Sequence, residues 1–153
     1  MQTKTLPTPE ALAAMVTNVT KTMFGITFAL DTGTDTELPG QTWHAATLPI
    51  RGAHPLTVAI AADGEAARTL ACAMFSCAPA GLDSTMIADA LSEMVNIVAG
   101  QVKAALSLDQ ALGLPKVVSD AAPWSPPERW RSATLSRGET RTVVWVAITE
   151  DIV

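Results

Sequence analysis

One stretch of this sequence leaves the chain little choice of local structure. From Asp83 it reads Asp-Ser-Thr-Met-Ile-Ala-Asp-Ala-Leu-Ser-Glu-Met-Val-Asn-Ile-Val-Ala-Gly-Gln-Val-Lys-Ala-Ala-Leu106, without a proline. At about 100° per residue, Ile87, Leu91, Met94, Val98, Val102 and Ala105 gather on one apolar stripe. The spacing predicts a helix from about Ser84 to Leu106, capped by Asp83 or Ser84, that must bury this stripe against something. Asp89, Glu93, Asn96, Gly100 and Lys103 recur at steps of 4, 3, 4 and 3 and form a second line roughly opposite the first. Spacing leaves two readings of that line open, a solvated polar face or a docking surface. Gly100 sharpens the question, because a mid-helix glycine costs about 1 kcal/mol relative to alanine. It could clear room for another backbone, be tolerated without benefit, or lie beneath a loop of its own chain.

The rest of the chain reads as short elements. Thr8-Pro9-Glu10 opens a helix whose apolar positions are Leu12, Met15, Val16, Val19 and Met23, and Gly25 ends it. Strands are expected at Ile26–Leu30, Thr42–Ile50 and Leu56–Ala61, the last two joined by a hairpin at Arg51-Gly52-Ala53-His54. Asp63 caps a helix from Glu65 to Cys77, which Pro79 breaks. After the long helix come strands at Leu114–Val118, Trp130–Leu135 and Thr142–Ile148, with a proline-rich loop from Ala122 to Glu128 and a turn at Ser136-Arg137-Gly138-Glu139. The order divides into two similar halves, each a helix followed by three strands. It argues an α+β fold, a six-stranded, largely antiparallel sheet with helices packed on one face. No linker interrupts it, so one domain over residues 1–153 is expected.

Composition excludes several roles. Ten Lys and Arg against 15 Asp and Glu leave a net charge of −5, which disfavours a nucleic-acid binder needing a basic stripe. The uncharged apolar run Thr69–Leu82 is too short to span a bilayer, and the N-terminal residues lack the apolar core of a signal peptide. No membrane insertion and a cytoplasmic location are therefore expected. Cys72 and Cys77, five apart in an expected helix, should point in divergent directions and read as free thiols. His44 and His54 have no carboxylate cluster nearby, so no metal site or cofactor of the protein's own is expected.

Glu93 and Asn96 are read as a pair acting without a Ser, Cys or His nucleophile or base. A carboxylate can act as a base, and a side-chain amide can orient water by donating one hydrogen bond and accepting another. Water positioning suits phosphoryl hydrolysis when the phosphate and its Mg²⁺ sit elsewhere, so the pair fits half of a site that a partner protein completes. A stand-alone small-molecule hydrolase is disfavoured, because no nucleophile–base pair or phosphate loop is found.

The run Asp89-Ala-Leu-Ser-Glu93-Met-Val-Asn96-Ile-Val-Ala-Gly100-Gln-Val-Lys103, followed by Leu112-Gly-Leu-Pro115-Lys-Val-Val, resembles the chemotaxis phosphatase family of CheC, CheX and FliY, and most of all its CheX branch. Asp89, Glu93, Asn96 and Pro115 match the family pattern, while Gln101 stands where the CheX pattern usually has Asn. The resemblance implies a phosphatase for the aspartyl phosphate of a CheY-like response regulator. Asn96 would orient the attacking water and Glu93 would pair with a lysine of the regulator, which carries the Mg²⁺. Asp89, Gly100 and Lys103 would help to bind that partner. CheC-like members have two such motifs, whereas CheX-like members have one and form homodimers. Here the first helix has Asn18 but Met15 where Glu would stand, so that half is expected to be inactive. The alternative is a non-catalytic, regulator-binding or flagellar-switch-like adaptor on the same fold. Trp124 and Trp130 have no role in the pattern and are expected at an apolar or interface edge.

Overall fold

The computed structural model describes residues 5–30, 43–121, 130–137 and 140–150. Helix α1 spans Pro9–Val19, with the Thr8 hydroxyl accepting from the Ala11 amide at its start. It runs into one π-helical turn, Thr20–Phe24, which Gly25 stops in the left-handed conformation at φ 69°. Strands β1 (Ala29–Leu30), β2 (Trp43–Ile50) and β3 (Leu56–Asp63) follow, then α2 (Gly64–Phe75) and α3 (Ser84–Ala105), then β4 (Lys116–Ala121), β5 (Arg131–Arg137) and β6 (Thr140–Thr149). The proline-rich loop with Trp124, and Gly138-Glu139 of the expected turn, lie outside the described residues. No described helix is long and apolar enough to cross a membrane.

The six strands form one sheet in the order β1-β5-β6-β3-β2-β4, and every pairing is antiparallel. Exchanging β1 with β4, β2 with β5 and β3 with β6 reverses this order without changing it. The two α-β-β-β halves are therefore related by a pseudo-two-fold at the central β3–β6 pair, and α2 is the addition between them. All three helices share one core with the sheet. Leu12 and Val16 of α1, Ala67 and Leu70 of α2, and Leu91, Met94 and Val98 of α3 pack with Leu48, Val58, Ile60, Val146 and Ile148.

Strand β3 is buried along its whole length, which alternation alone would not predict. Its even-numbered residues meet the helices, and Ala61 joins Trp43, Val143 and Trp145 on the other face. Trp43 and Trp145 meet edge to face, with ring centroids 6.2 Å apart.

Three local expectations change. The first strand keeps only Ala29 and Leu30. Ile26 and Phe28 are buried in the helix-side core, and the Phe28 carbonyl accepts from the Thr17 hydroxyl at 2.6 Å. Helix α2 stops at Phe75, because Ser76 turns left-handed at φ 51°. The Cys77 amide then donates back to the Cys72 carbonyl at 3.1 Å. The two side chains consequently meet rather than diverge, although both thiols are free. Partial burial, and then the neighbouring Cys77, push the Cys72 thiol above its usual value. Finally, the buried face of α3 is broader than the stripe. It takes in Ala90, Val95 and Ala99, whereas Ile87 is half-buried and Ala105 is exposed.

Asp63 joins helix to sheet. Its Oδ1 accepts the Ala66 amide at 2.7 Å and caps α2, while Oδ2 accepts the Val143 amide of β6 at 3.0 Å. Burial pushes its carboxyl above the usual aspartate range, and the two backbone N–H groups pull the other way. Asp63→Ala should orphan two buried donors and cost about 2–4 kcal/mol in urea unfolding, against about 1 kcal/mol for the exposed cap in Asp83→Ala. Equal losses would mean that the bond to β6 contributes nothing. Among the described residues, no part of the chain lies over Gly100, since a Cβ built there meets nothing within 4 Å. Gly100→Ala should therefore raise stability by up to about 1 kcal/mol in the same assay, and a loss would show that the space is not free.

Candidate functional site

Helix α3 is held in place by its buried side, where Leu91, Met94, Val95, Val98, Ala99 and Val102 are fully shielded from solvent. Such packing fixes the rotation of the helix about its axis, so the remaining residues have no freedom over where they point. Asp89 and Asn96 are exposed and Glu93 is half-buried. Glu93 and Asn96 stand three residues apart, neighbours on the helix surface.

The segment after α3 supplies the next wall. Ser107 ends the helix in the left-handed region at φ 52°, and the Leu108 amide returns to the Lys103 carbonyl at 2.9 Å. The Gln110 side chain then bonds the His54 backbone twice, accepting from its amide at 2.6 Å and donating to its carbonyl at 2.9 Å. Leu112 bridges to Ile50, and the Gly113 amide donates to the Pro49 carbonyl at 2.7 Å. A Cβ on Gly113 would lie 2.7 Å from the Pro49 ring and 2.8 Å from its carbonyl oxygen, so only glycine allows this approach. Leu114 and Pro115 follow directly and lead into β4.

Together these elements form an open cleft of about 450 Å³ lined by Met74, Phe75, Asp89, Ser92, Glu93, Asn96, Gly113, Leu114 and Pro115. Asp89, Glu93, Asn96 and Pro115, which are scattered over 27 positions of sequence, thus share one surface. Gly100 and Lys103 do not line it. They lie further along α3 and are half-buried. Among the described residues, no hydrogen bond or ion pair occupies the side chains of Glu93 and Asn96, and no group of three or more His, Cys, Asp or Glu comes together. The chemistry available in the cleft is that of two carboxylates, an amide and the Ser92 hydroxyl, all facing outward.

Sequence reasoning missed Ser92, Met74, Phe75 and Leu114. Ser92 was within reach, since it lies three residues after Asp89 and four before Asn96 on the same helical surface. Met74 and Phe75 come from the end of α2, and only the tertiary packing of α2 on α3 brings them there.

The equivalent surface of α1 differs. A shallow depression there is lined by Glu10, Thr17, Asn18, Lys21 and Leu30, among others. The Thr17 hydroxyl is committed to Phe28, Asn18 accepts from Thr22 at 3.5 Å, and Met15 is half-buried against the core. Among the described residues, no carboxylate precedes Asn18 by three positions as Glu93 precedes Asn96, since Met15 stands there. A smaller cavity of about 230 Å³ between Leu6, His54, Pro55, Leu56 and Leu108 contains none of the motif residues.

Comparison with known proteins bears on the family and the fold. The profile of the family described as chemotaxis phosphatase CheX matches residues 44–125, more than half of the 153. No curated protein sequence matches the chain. Among solved structures, the chemotaxis protein CheX from Vibrio vulnificus superposes with a TM-score of 0.71 at 20% identity, over 90% of this chain and 95% of that one. CheX from Desulfovibrio desulfuricans gives 0.70 at 19% identity, over 90% and 94%. The structure of a CheX–CheY–BeF3–Mg²⁺ complex from Borrelia burgdorferi gives 0.66 at 16% identity, over 90% and 94%. At such identities these likenesses are of fold. The matched segment contains Asp89, Glu93, Asn96 and Pro115 of the cleft, and by it the chain belongs to the CheX family of chemotaxis phosphatases.

Proposed function

We propose that this protein hydrolyses the aspartyl phosphate of a CheY-like response regulator, with Asn96 positioning the attacking water and Glu93 binding the partner. The observation that carries this reading is the cleft itself, where a carboxylate and an amide with no partner among the described residues share an open surface. An aspartyl phosphate already has a good leaving group. The help it needs is a water held in line with phosphorus, which a fixed amide supplies by accepting a hydrogen bond from one water O–H and donating one to the water oxygen. Glu93, one helical turn away, meets a cationic side chain of the regulator and sets the docking register. Asp89 adds a second negative charge on the same surface. The Mg²⁺ that shields the phosphoryl oxygens belongs to the regulator, and the protein needs no cofactor of its own. The CheX of the Borrelia burgdorferi complex, which shares the fold, is seen with CheY, BeF3 and Mg²⁺.

Gly100 and Lys103 act outside the cleft, at the margin of the docked partner. The protein works as a homodimer joined through sheet edges, since β4 and β1 each pair on one side only in the described sheet and β4 offers the longer edge. It does so in the cytoplasm, where response regulators are found.

Two measurements test these assignments. In single-turnover dephosphorylation at saturation, Asn96→Ala should leave regulator binding nearly intact and slow the chemical step about a hundredfold or more. Glu93→Ala should weaken binding by about 2–5 kcal/mol, the cost of a lost charge-assisted contact at a docked interface. Both variants should keep wild-type stability within about 0.5 kcal/mol, because neither side chain has a partner to lose among the described residues. Wild-type turnover by Asn96→Ala would end the catalytic assignment and leave a binding adaptor. For the dimer, light scattering at tens of micromolar should give twice the chain mass of 16.0 kDa, and a clean monomer contradicts it.

A further inference from the structure

Leu114 is 85% exposed, more than any other large apolar side chain described. A single exposed leucine needs no explanation by itself. This one differs in two respects. Its backbone is pinned, because Gly113 is bonded to Pro49 with no room for a Cβ and Leu112 is bridged to Ile50. It also lines the same cleft as Glu93 and Asn96, together with Phe75, which is 37% exposed, and the half-buried Met74. The fold ties down the backbone that carries this apolar side chain beside the polar pair, so docking need not order that segment of chain.

We infer that Leu114, with Phe75, is the apolar anchor by which this protein grips the receiver domain of its response regulator, deciding which regulators it accepts. The inference rests on the phosphatase reading above. A macromolecule that presents an aspartyl phosphate to Asn96 must lie over the rest of the cleft, and so over Leu114. The occupant must match both parts of the surface, with a basic side chain opposite Asp89 and Glu93 and an apolar patch beside it. A free phosphorylated metabolite has no surface to meet Leu114, so the anchor favours protein over small-molecule substrate. It works through binding, since an apolar side chain can neither position water nor carry a proton.

The test uses the full chain and the CheY-type regulator that it dephosphorylates fastest in a panel phosphorylated with acetyl phosphate. Leu114→Ser should raise KM about tenfold or more, the scale of a buried interface anchor, with a much smaller change in kcat. Leu114→Met should restore most of the loss, and Asn96→Ala should show the opposite pattern, a fall in kcat at similar KM. Melting of each variant checks that it is folded, and the exposure of Leu114 makes that expected. An unchanged KM for Leu114→Ser, or a fall confined to kcat, overturns the anchor while leaving the phosphatase reading in place. If the wild type turns over no regulator, the phosphatase reading fails. The anchor is then judged by binding to beryllofluoride-loaded receivers, where equal binding by wild type and Leu114→Ser, or none by either, overturns it.

Discussion

The packing of one helix face on the sheet organises this molecule. Leu91, Met94, Val98 and Val102 of α3 lie against Ala46, Leu48, Val58 and Ile60, all without solvent exposure. Each such side chain contributes roughly 1.5–3 kcal/mol by burial, far more than the polar face could recover by turning inward. The rotation of α3 is therefore decided by its apolar side. The outward placement of Asp89, Glu93 and Asn96 is a consequence of the core, which is why polar residues with no side-chain bond among the described residues can be held in a fixed array. Residues that make no stabilising contact are free to be chosen for what they do to a partner.

Position is completed by two elements remote in sequence. The end of α2 brings Phe75, and the segment after α3 brings Leu114 and Pro115, tied down by Gly113 on Pro49 and Gln110 on His54. The pseudo-two-fold of the sheet supplies a useful internal comparison. Helix α1 occupies the place of α3 in the other half, yet its outward face offers Asn18 beside a half-buried Met15, and its Thr17 is bound to the chain's own backbone. The same scaffold thus presents an open polar pair on one side and a largely committed surface on the other.

Much of this was legible in the sequence because the signals are strong where they are local. Thr8, Asp63 and Asp83 cap the helices that their positions predict, and Gly25 stops the first one. The 3.6-residue period of α3 separated its buried face from its polar line before any packing was considered. What escaped was tertiary. The continuous apolar run Val58–Ala62 is consistent with a strand covered on both faces, but nothing local says that Trp43 and Trp145 cover the second one. The shortening of β1 follows from a side chain eleven residues away that takes the Phe28 carbonyl. Cys77 meets Cys72 because one residue, Ser76, adopts a left-handed backbone that serines rarely take. The polar line read as five residues, but the cleft ends at Asn96, because α2 and the 113–115 segment close around its first half only. Leu114 looked like part of a strand start, and its exposure depends on how Gly113 is anchored.

The proposed activity requires the surface of α3 to act on a bound partner and then release it. The most direct measurement mixes a large excess of a phosphorylated CheY-type regulator with a substoichiometric amount of this protein and follows phosphate release against the regulator's own decay. Phosphate released above background should exceed the protein present many times over, with a rate proportional to protein concentration. Binding with no release beyond the regulator's own decay would contradict it.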